Sequence, residues 1–270
     1  MERRAFGNTE LTVPVVGMGT WQTFDVRNRA GEQNARAVVD AAIESGATLF
    51  DSSPMYRESE RVLGAALDGR RSNVLVATKI WTPSASEGEQ QAARALKYYG
   101  GLVDIYQIHN LVAWTEQLEL LERLKDEARV RVVAATHHAP SAFRDLRRVM
   151  ETGRIEAVQI PYNPLERDVE REILPLAADL GLGVIVMRPL GQGGLVKRQP
   201  ASDSLAALRD FGVTTWPQAL LKWILSDLRC HAAIPATSRP ERMRENAGAG
   251  DPPWFGTEER ALVARIAESL

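Results

Sequence analysis

The sequence contains a single cysteine, Cys230, among its 270 residues. An intrachain disulfide and a metal site built from several cysteines are therefore both excluded, and so little cysteine is typical of a reducing compartment. No apolar run approaches the ~20 residues that a membrane-spanning helix requires, and the opening segment MERRAFGNTELTV has no apolar core of the kind found in signal peptides. We therefore expect a cytoplasmic protein.

Blocks of like charge are also missing. Lysine and arginine total 33 and aspartate and glutamate total 35, which leaves a formal net charge of -2. This balance offers no electrostatic match to nucleic acid or to an anionic membrane, so we expect small-molecule partners instead.

Several catalytic motifs are absent. The sequence has no HExxH, no GxSxG and no Walker loop, which leaves metalloprotease, hydrolase and phosphotransferase functions without local support. His137 and His138 are adjacent, but neighbouring side chains on a strand point to opposite faces. We therefore predict that this pair does not form a metal site.

Short Val- and Ile-rich runs alternate with longer amphipathic stretches from near residue 15 to near residue 247. The runs are apolar throughout, which is typical of parallel strands that are buried on both faces. Between them lie helical patterns such as TEQLELLERLKDEA, in which leucines recur at steps of three and four residues. The predicted strands cover residues 15–19, 47–50, 74–78, 103–108, 130–134, 157–161, 183–187 and 232–235.

Eight strands and eight helical segments in a chain of this length favour an α/β fold of the (β/α)₈ TIM barrel type over an open sheet. No Pro/Ser-rich linker divides the chain, so residues 1–270 are expected to form a single domain. Two segments lie outside the repeat. FGNTELTVP predicts an N-terminal β-hairpin that closes the floor of the barrel, and TEERALVARIAESL predicts an extra C-terminal helix.

In such a barrel, reactive side chains lie where strands end and loops begin. Asp51 follows the run ATLF, Lys79 follows VLVAT, His109 follows VDIYQI, and Tyr56 lies in the loop after Asp51. Each also fits a structural role, such as a helix cap, an ion-pair partner or a buried core histidine. Together they favour catalysis, because an acid, a cation, an anion and an imidazole would all face one end of the barrel.

Tyr56 is the predicted general acid of this group. Tyrosine has an ordinary pKa near ~10, and a nearby ammonium group lowers it by favouring the phenolate. We predict that Lys79 lowers the pKa of Tyr56, that Asp51 keeps Lys79 charged and oriented, and that His109 positions a carbonyl group. None of the four is assigned as a nucleophile, so a bound nicotinamide is the natural source of electrons, as hydride.

The motifs along the chain resemble those of the aldo-keto reductase family over nearly its whole length. They are VGMGTW at 16–21, FDSSPMY followed by SERVLG, VATKIW at 76–81, DIYQIHN at 104–110, VQIPYN at 158–163, PLGQGG at 189–194 and IPATSRPERMREN at 234–246. The resemblance implies a (β/α)₈ barrel that reduces aldehydes and ketones with a nicotinamide cofactor, usually NADPH. It also implies a catalytic tetrad of Asp51, Tyr56, Lys79 and His109.

The same resemblance implies a cofactor site. Position by position, it assigns residues near 136 and 159 to the nicotinamide, residues 188–195 to the pyrophosphate and residues 237–246 to the adenosine. Glycines in the second segment let backbone N–H groups approach the phosphates. The implied contacts are Thr136, His137, Gln159, Met187, Arg188, Pro189, Leu190, Gly191, Gly193, Thr237, Ser238, Arg239, Arg242, Glu245 and Asn246.

Several positions depart from the family pattern. His137 replaces the asparagine of a Ser-Asn pair, Arg57 replaces the glycine usual after the tyrosine, and Met187 replaces a frequent aromatic residue. Ala236 stands where many members have a lysine, although Arg239 can supply a cation. Arg242 favours NADPH, and the use of NADH stays open. The structural alternative is that these arginines form only the solvated face of a helix.

Trp21, Trp81 and Trp114 each follow a predicted strand and fit either an apolar substrate pocket or packing at the barrel rim. The predicted activity is NADPH-dependent reduction of aldehydes and ketones. One alternative is a nicotinamide-binding regulatory or redox-sensing barrel with little turnover. Another is a barrel lyase or isomerase that needs no nicotinamide.

Overall fold

The structure, a computed structural model, describes residues 1–270 apart from the side chain of residue 202. The strands are β1 Arg3–Ala5, β2 Thr12–Pro14, β3 Met18–Gly19, β4 Leu49–Asp51, β5 Leu75–Ile80, β6 Val103–His109, β7 Val130–Thr136, β8 Ala157–Pro161, β9 Gly183–Met187 and β10 Ala232–Ala233. The α-helices are α1 Arg29–Glu44, α2 Ser59–Ala66, α3 Ala85–Tyr98, α4 Trp114–Asp126, α5 Phe143–Glu151, α6 Ile173–Asp179, α7 Trp216–Leu225, α8 Pro240–Ala247 and α9 Thr257–Ser269.

Strands β3 to β10 form one parallel sheet in which neighbours in sequence are neighbours in space. Two isolated parallel bridges, Val16 with Ala233 and Gly19 with Ala236, join the first strand of this sheet to the last. The sheet therefore closes on itself, and helices α1 to α8 follow the eight strands in turn. The (β/α)₈ TIM barrel predicted from the sequence is confirmed.

The strand boundaries differ from the prediction mainly at the two strands where the barrel closes. β3 has two residues instead of the five predicted and β10 has two instead of four, because the remaining contacts there are isolated bridges. β4 extends to Asp51, one residue beyond the predicted end, so the predicted catalytic aspartate belongs to the strand itself.

The predicted N-terminal hairpin is present as the antiparallel pair β1 and β2. Phe6 and Leu11 from its turn, with Val13 from β2, join the apolar cluster that fills the barrel interior. Phe6 packs so closely against Gly183 that a Cβ there would meet the aromatic ring at 2.6 Å. The hairpin thus closes one end of the barrel.

The helices pack their apolar faces on the outside of the sheet and form a second, larger apolar cluster. The predicted extra helix is α9, which packs on α7 beside the barrel. Among the described residues, no helix combines the length and the apolar character needed to cross a membrane.

Candidate active site

A cavity of about 680 Å³ lies over the C-terminal ends of the barrel strands. The register of the strands sets the height of each side chain along the barrel axis beneath this cavity. Lys79 pairs with Gln107 across β5 and β6, and Thr136 of β7 pairs with both His109 and Gln159. Polar residues that are scattered along the sequence therefore meet at one level of the barrel.

Asp51 and Lys79 form a buried ion pair at the base of this cavity. Lys79 Nζ donates to Asp51 Oδ1 at 2.7 Å, to Asp51 Oδ2 at 2.8 Å and to the Ser52 carbonyl oxygen at 2.8 Å. Gln107 Nε2 and Gln159 Nε2 also donate to Asp51 Oδ1, at 3.1 and 2.9 Å. The carboxylate therefore accepts four hydrogen bonds, and all three hydrogens of the ammonium group have acceptors.

Tyr56 lies in the short helical turn Pro54–Tyr56 that follows β4, and its ring lines the cavity. Lys79 Nζ is 5.5 Å from the ring centroid. Burial first, and then the negative charge of Asp51, raise the pKa of Tyr56 well above its ordinary value, whereas Arg188 acts to lower it. At neutral pH in the ligand-free protein the phenol therefore keeps its proton.

This result differs from the expectation that Lys79 lowers the pKa of Tyr56. The ammonium group is fully engaged by Asp51 and Ser52, and its charge is offset by the adjacent carboxylate. Arg188, from the loop after β9, is instead the cation that acts on the phenol. Burial lowers the pKa of Lys79 itself, and Asp51 opposes that shift.

His109 meets Tyr56 edge to face, with ring centroids 6.0 Å apart and an interplanar angle of 89°. Burial lowers its pKa to about 3, and the charges of Lys79, His138 and His137 add to this effect. The imidazole is therefore neutral at physiological pH. Its Nδ1 lies 2.9 Å from Oγ of Ser53, a residue that sequence analysis did not select.

Left-handed backbone conformations concentrate in the loops at this end of the barrel. Seven of the eight non-glycine residues with positive φ lie there, namely Gln22, Arg57, Asn110, Leu111, Ala113, Arg188 and Gln192. Arg57 has φ +56°, which accounts for the glycine that the family pattern has after the tyrosine. Its exposed side chain pairs with Asp25 at 3.2 Å. Such conformations cluster where a fold holds groups in place for function.

The cavity brings together ten of the fifteen predicted cofactor residues. They are Gln159, Met187, Arg188, Pro189, Leu190, Gly193, Thr237, Arg242, Glu245 and Asn246. The other five lie outside the lining that the described residues form: Thr136, His137, Gly191, Ser238 and Arg239. Thr136 is buried beneath the cavity, where its hydroxyl donates to the Gln159 carbonyl oxygen at 2.8 Å.

The two adjacent histidines differ from the expectation for a strand. Both follow the end of β7, so they do not alternate across the sheet, and their rings stack with centroids 5.3 Å apart. His137 Nδ1 accepts a hydrogen bond from the backbone N–H of Ala139, whereas His138 contacts Asn110 and lines the cavity. His138, which sequence analysis did not assign, thus occupies the wall beside His109.

The three tryptophans do not share one position. Trp21 lines the cavity, and Trp81 lies beside His109 with ring centroids 6.4 Å apart. Trp114 begins α4 and packs partly buried against the outer apolar cluster. The cavity wall also contains residues to which sequence analysis gave no role, among them Gln22, Thr23, Met55, Val196 and Gln199. Their loops have no periodic pattern from which a side-chain direction could be predicted.

Comparison with known proteins identifies relatives along almost the entire chain. The model of the aldo/keto reductase family matches residues 15–267. An NADH-specific methylglyoxal reductase from Escherichia coli is 25% identical, and the match covers 92% of this chain and 93% of that protein.

Two solved structures from Klebsiella pneumoniae have the same fold. An aldo-keto reductase in complex with NADPH is 26% identical, with a TM-score of 0.81 and coverage of 99% of this chain and 96% of that one. An aldo/keto reductase in complex with NADP and acetate is 25% identical, with a TM-score of 0.79 and coverage of 97% and 94%.

Proposed function

The chain belongs to the aldo/keto reductase family and is an NAD(P)H-dependent oxidoreductase, and we propose that it reduces aldehydes and ketones to alcohols with Tyr56 as the general acid. One observation carries the proposal: a single cavity is lined by Asp51, Tyr56 and His109 and also by polar residues of α8, namely Arg242, Glu245 and Asn246. A carbonyl compound and a dinucleotide can therefore reach the same group of side chains.

The lining fits a nicotinamide dinucleotide. At one end, Gln159 and Met187 offer an amide and a polarisable apolar surface to a nicotinamide ring. In the middle, a Cβ on Gly193 would meet no atom within 4 Å, so the backbone there is open to a phosphate group. At the other end, Arg242, Glu245 and Asn246 offer a cation and polar groups to the adenosine. When bound, this cofactor supplies the hydride.

The residues of the chain supply the proton and the orientation. Tyr56 keeps its proton at neutral pH, because burial and Asp51 raise its pKa. A carbonyl oxygen between Tyr56 and His109 has two hydrogen-bond donors available as negative charge develops on it. Arg188, the cation that acts on the phenol, then stabilises the phenolate as the proton leaves. The buried pair of Lys79 and Asp51, with Lys79 Nζ 5.5 Å from the ring centroid, holds the base of the site in place.

NADPH is the proposed cofactor, and Arg242 is the residue expected to distinguish it from NADH. A charge-assisted hydrogen bond to the 2′-phosphate is worth ~1.5–3 kcal/mol. We therefore expect Arg242→Ala to raise the Kd for NADPH roughly 10- to 100-fold and to leave the Kd for NADH nearly unchanged. Fluorescence titration of the variant with both cofactors measures the two changes.

Arg244→Ala is the matched control for this experiment. Arg244 lies on the same helix, but its guanidinium pairs with Glu44 at 3.0 Å and is absent from the cavity lining described. We expect this variant to bind both cofactors as the wild type does. An equal loss of affinity for both cofactors in Arg242→Ala, or no loss for either, would contradict a role of Arg242 in binding the 2′-phosphate.

The activity itself is tested by following oxidation of NADPH and of NADH in the presence of a panel of aldehydes and ketones. Methylglyoxal belongs in the panel, since one relative is a methylglyoxal reductase that uses NADH. We expect oxidation that depends on the carbonyl compound. Cofactor binding without such turnover would favour a regulatory barrel, and turnover without a nicotinamide would favour a lyase or isomerase.

A further inference from the structure

Ser53 connects the loop that carries Tyr56 to His109. It lies two residues after Asp51 and is fully buried. Its Oγ lies 2.9 Å from His109 Nδ1 and accepts a hydrogen bond from the backbone N–H of Met55 at 3.2 Å. The second contact caps the short turn Pro54–Tyr56. One hydroxyl group therefore touches both the proposed donor to the carbonyl and the turn that positions the proposed acid.

The protons of this cluster can be assigned by counting donors and acceptors. A serine hydroxyl has one proton to donate and can accept two hydrogen bonds. The Met55 N–H occupies one acceptor position on Ser53 Oγ. If His109 carried its proton on Nδ1, that N–H would occupy the second position, and the serine proton would have no acceptor among the described neighbours.

The opposite arrangement satisfies every group. The Ser53 hydroxyl donates to an unprotonated Nδ1, and the single proton of the neutral imidazole then lies on Nε2. An unpaired hydroxyl at a site with no solvent exposure is unfavourable, so this arrangement is preferred. Because Nδ1 faces Ser53, Nε2 is the nitrogen that remains for a ligand at the cavity wall.

The charge state of the ring supports the same count. Burial lowers the pKa of His109 to about 3, and Lys79, His138 and His137 add to the shift. At neutral pH the ring is therefore uncharged, with one N–H and one bare nitrogen, and a neighbour decides which nitrogen carries the proton.

We propose that Ser53 is a positioning residue that holds His109 in its Nε2-protonated form, so that the neutral imidazole donates a hydrogen bond to the carbonyl oxygen of the substrate. The proposal concerns a tautomer and rests on the proposed function only for its catalytic consequence. Without the hydroxyl the two tautomers interconvert freely, and only a fraction of the molecules present a donor.

The tautomer is observed directly in nitrogen-15 spectra of the full-length protein labelled at histidine, recorded with and without NADP⁺. The protonated and bare nitrogens of a neutral imidazole have well-separated resonances, and His109→Gln identifies the signals among the four histidines. We expect the wild type to have its proton on Nε2 of His109. We expect Ser53→Ala to give a mixture or the Nδ1-protonated form.

Turnover provides the second measurement. We expect Ser53→Ala to lower kcat roughly tenfold, since part of the donation to the developing oxyanion is lost, with the Kd for NADPH unchanged. Ser53→Thr keeps the hydroxyl and should restore both the tautomer and most of the rate. Ser59→Ala is the matched control, because Ser59 is an equally buried serine whose Oγ has no hydrogen-bond partner among the described residues.

The outcomes separate this proposal from the proposed function. A wild-type His109 with its proton on Nδ1, or a tautomer that is the same in Ser53→Ala, overturns the role of Ser53 whatever the enzyme reduces. Conversely, an Nε2-protonated His109 in a protein that reduces no carbonyl supports the assignment of the tautomer and contradicts the proposed function. If Ser53→Ala does not fold, the wild-type and Ser53→Thr spectra still decide between the tautomers.

Discussion

Replacement of Tyr56 with phenylalanine is expected to lower kcat for carbonyl reduction by ~10²-fold or more, which is the scale of general acid catalysis. The substitution removes one oxygen atom and keeps the ring that faces His109 at 6.0 Å. Folding and cofactor affinity should therefore be close to those of the wild type. Steady-state kinetics with an aldehyde substrate, thermal unfolding and a cofactor titration measure the three quantities.

Tyr98→Phe is the control for this variant. Tyr98 ends α3, is half-buried and lies away from the described cavity lining, so the same chemical change there should leave kcat unchanged. A Tyr56→Phe enzyme with the wild-type rate would exclude Tyr56 as the proton donor. A large decrease in the unfolding temperature alongside the loss of rate would indicate a structural role instead.

The pH profile of reduction gives a related check. A general acid works when it is protonated, so activity that depends on Tyr56 is retained at low and neutral pH and is lost only above the pKa of the phenol. Burial and Asp51 raise that pKa. His109, with a pKa lowered to about 3, stays neutral down to acidic pH. We therefore expect kcat/KM, which reports the ionisations of the free enzyme, to show no ionisation of either group between pH 6 and 8.

Replacement of Lys79 with methionine is expected to lower the free energy of unfolding by ~3–5 kcal/mol, because it leaves a buried carboxylate without its cation. The side chains of Lys79 and Asp51 are only 1% and 4% exposed. In a protein of this size ~1 kcal/mol corresponds to roughly 2–4 °C in the unfolding temperature, so a decrease of about 10 °C is expected. Calorimetry at neutral pH measures it.

The double variant Asp51→Asn with Lys79→Met tests whether the unpaired charge is the cause. Removal of both charges eliminates the uncompensated carboxylate, and we expect most of the lost stability to return. Gln107 and Gln159 can continue to donate to the asparagine oxygen.

An exposed ion pair provides the comparison. Arg147 and Glu151 form a pair on the surface of α5 in which both side chains are about half exposed, and solvent screens such pairs. Arg147→Met should change the unfolding temperature little. Two results would contradict this explanation: an equally small effect of Lys79→Met, or a double variant that is no more stable than the single one. Either would show that an unpaired Asp51 carboxylate does not destabilise the protein as expected.

The sequence predicted that Asp51, Lys79 and His109, which each follow an apolar run, lie at one end of the barrel, with Tyr56 in the loop after Asp51. The structure brings these four side chains together there. The sequence also predicted that Asp51 pairs with Lys79, but not the amide groups that complete the hydrogen bonds of the carboxylate. Gln107 lies inside an apolar strand, and only the strand register places it beside Lys79. Gln159 was assigned to the cofactor, yet its amide also donates to Asp51 at 2.9 Å.

Loop geometry limited the other assignments. The family pattern selected His137 for the cofactor, but the chain turns immediately after Thr136, so that His138 faces the cavity and His137 Nδ1 bonds to the backbone. The positive φ angles of Asn110, Leu111 and Ala113 shape the neighbouring loop. Residues other than glycine adopt such angles only where the surrounding structure compensates, and no local sequence pattern encodes that compensation.

The sequence by itself determined the barrel, because the alternation of buried strands with amphipathic helices and the order of the motifs have one compact solution. It also determined which residue types lie at the C-terminal ends of the strands. Only the tertiary structure decided whether the pKa of each titratable group is raised or lowered. A pKa depends on distance, burial and the partners already engaged, and these are fixed only when strands and loops from distant parts of the chain pack together. For that reason the cation that acts on Tyr56 is Arg188 of a distant loop, and the partner of His109 is the serine beside the tyrosine's own turn.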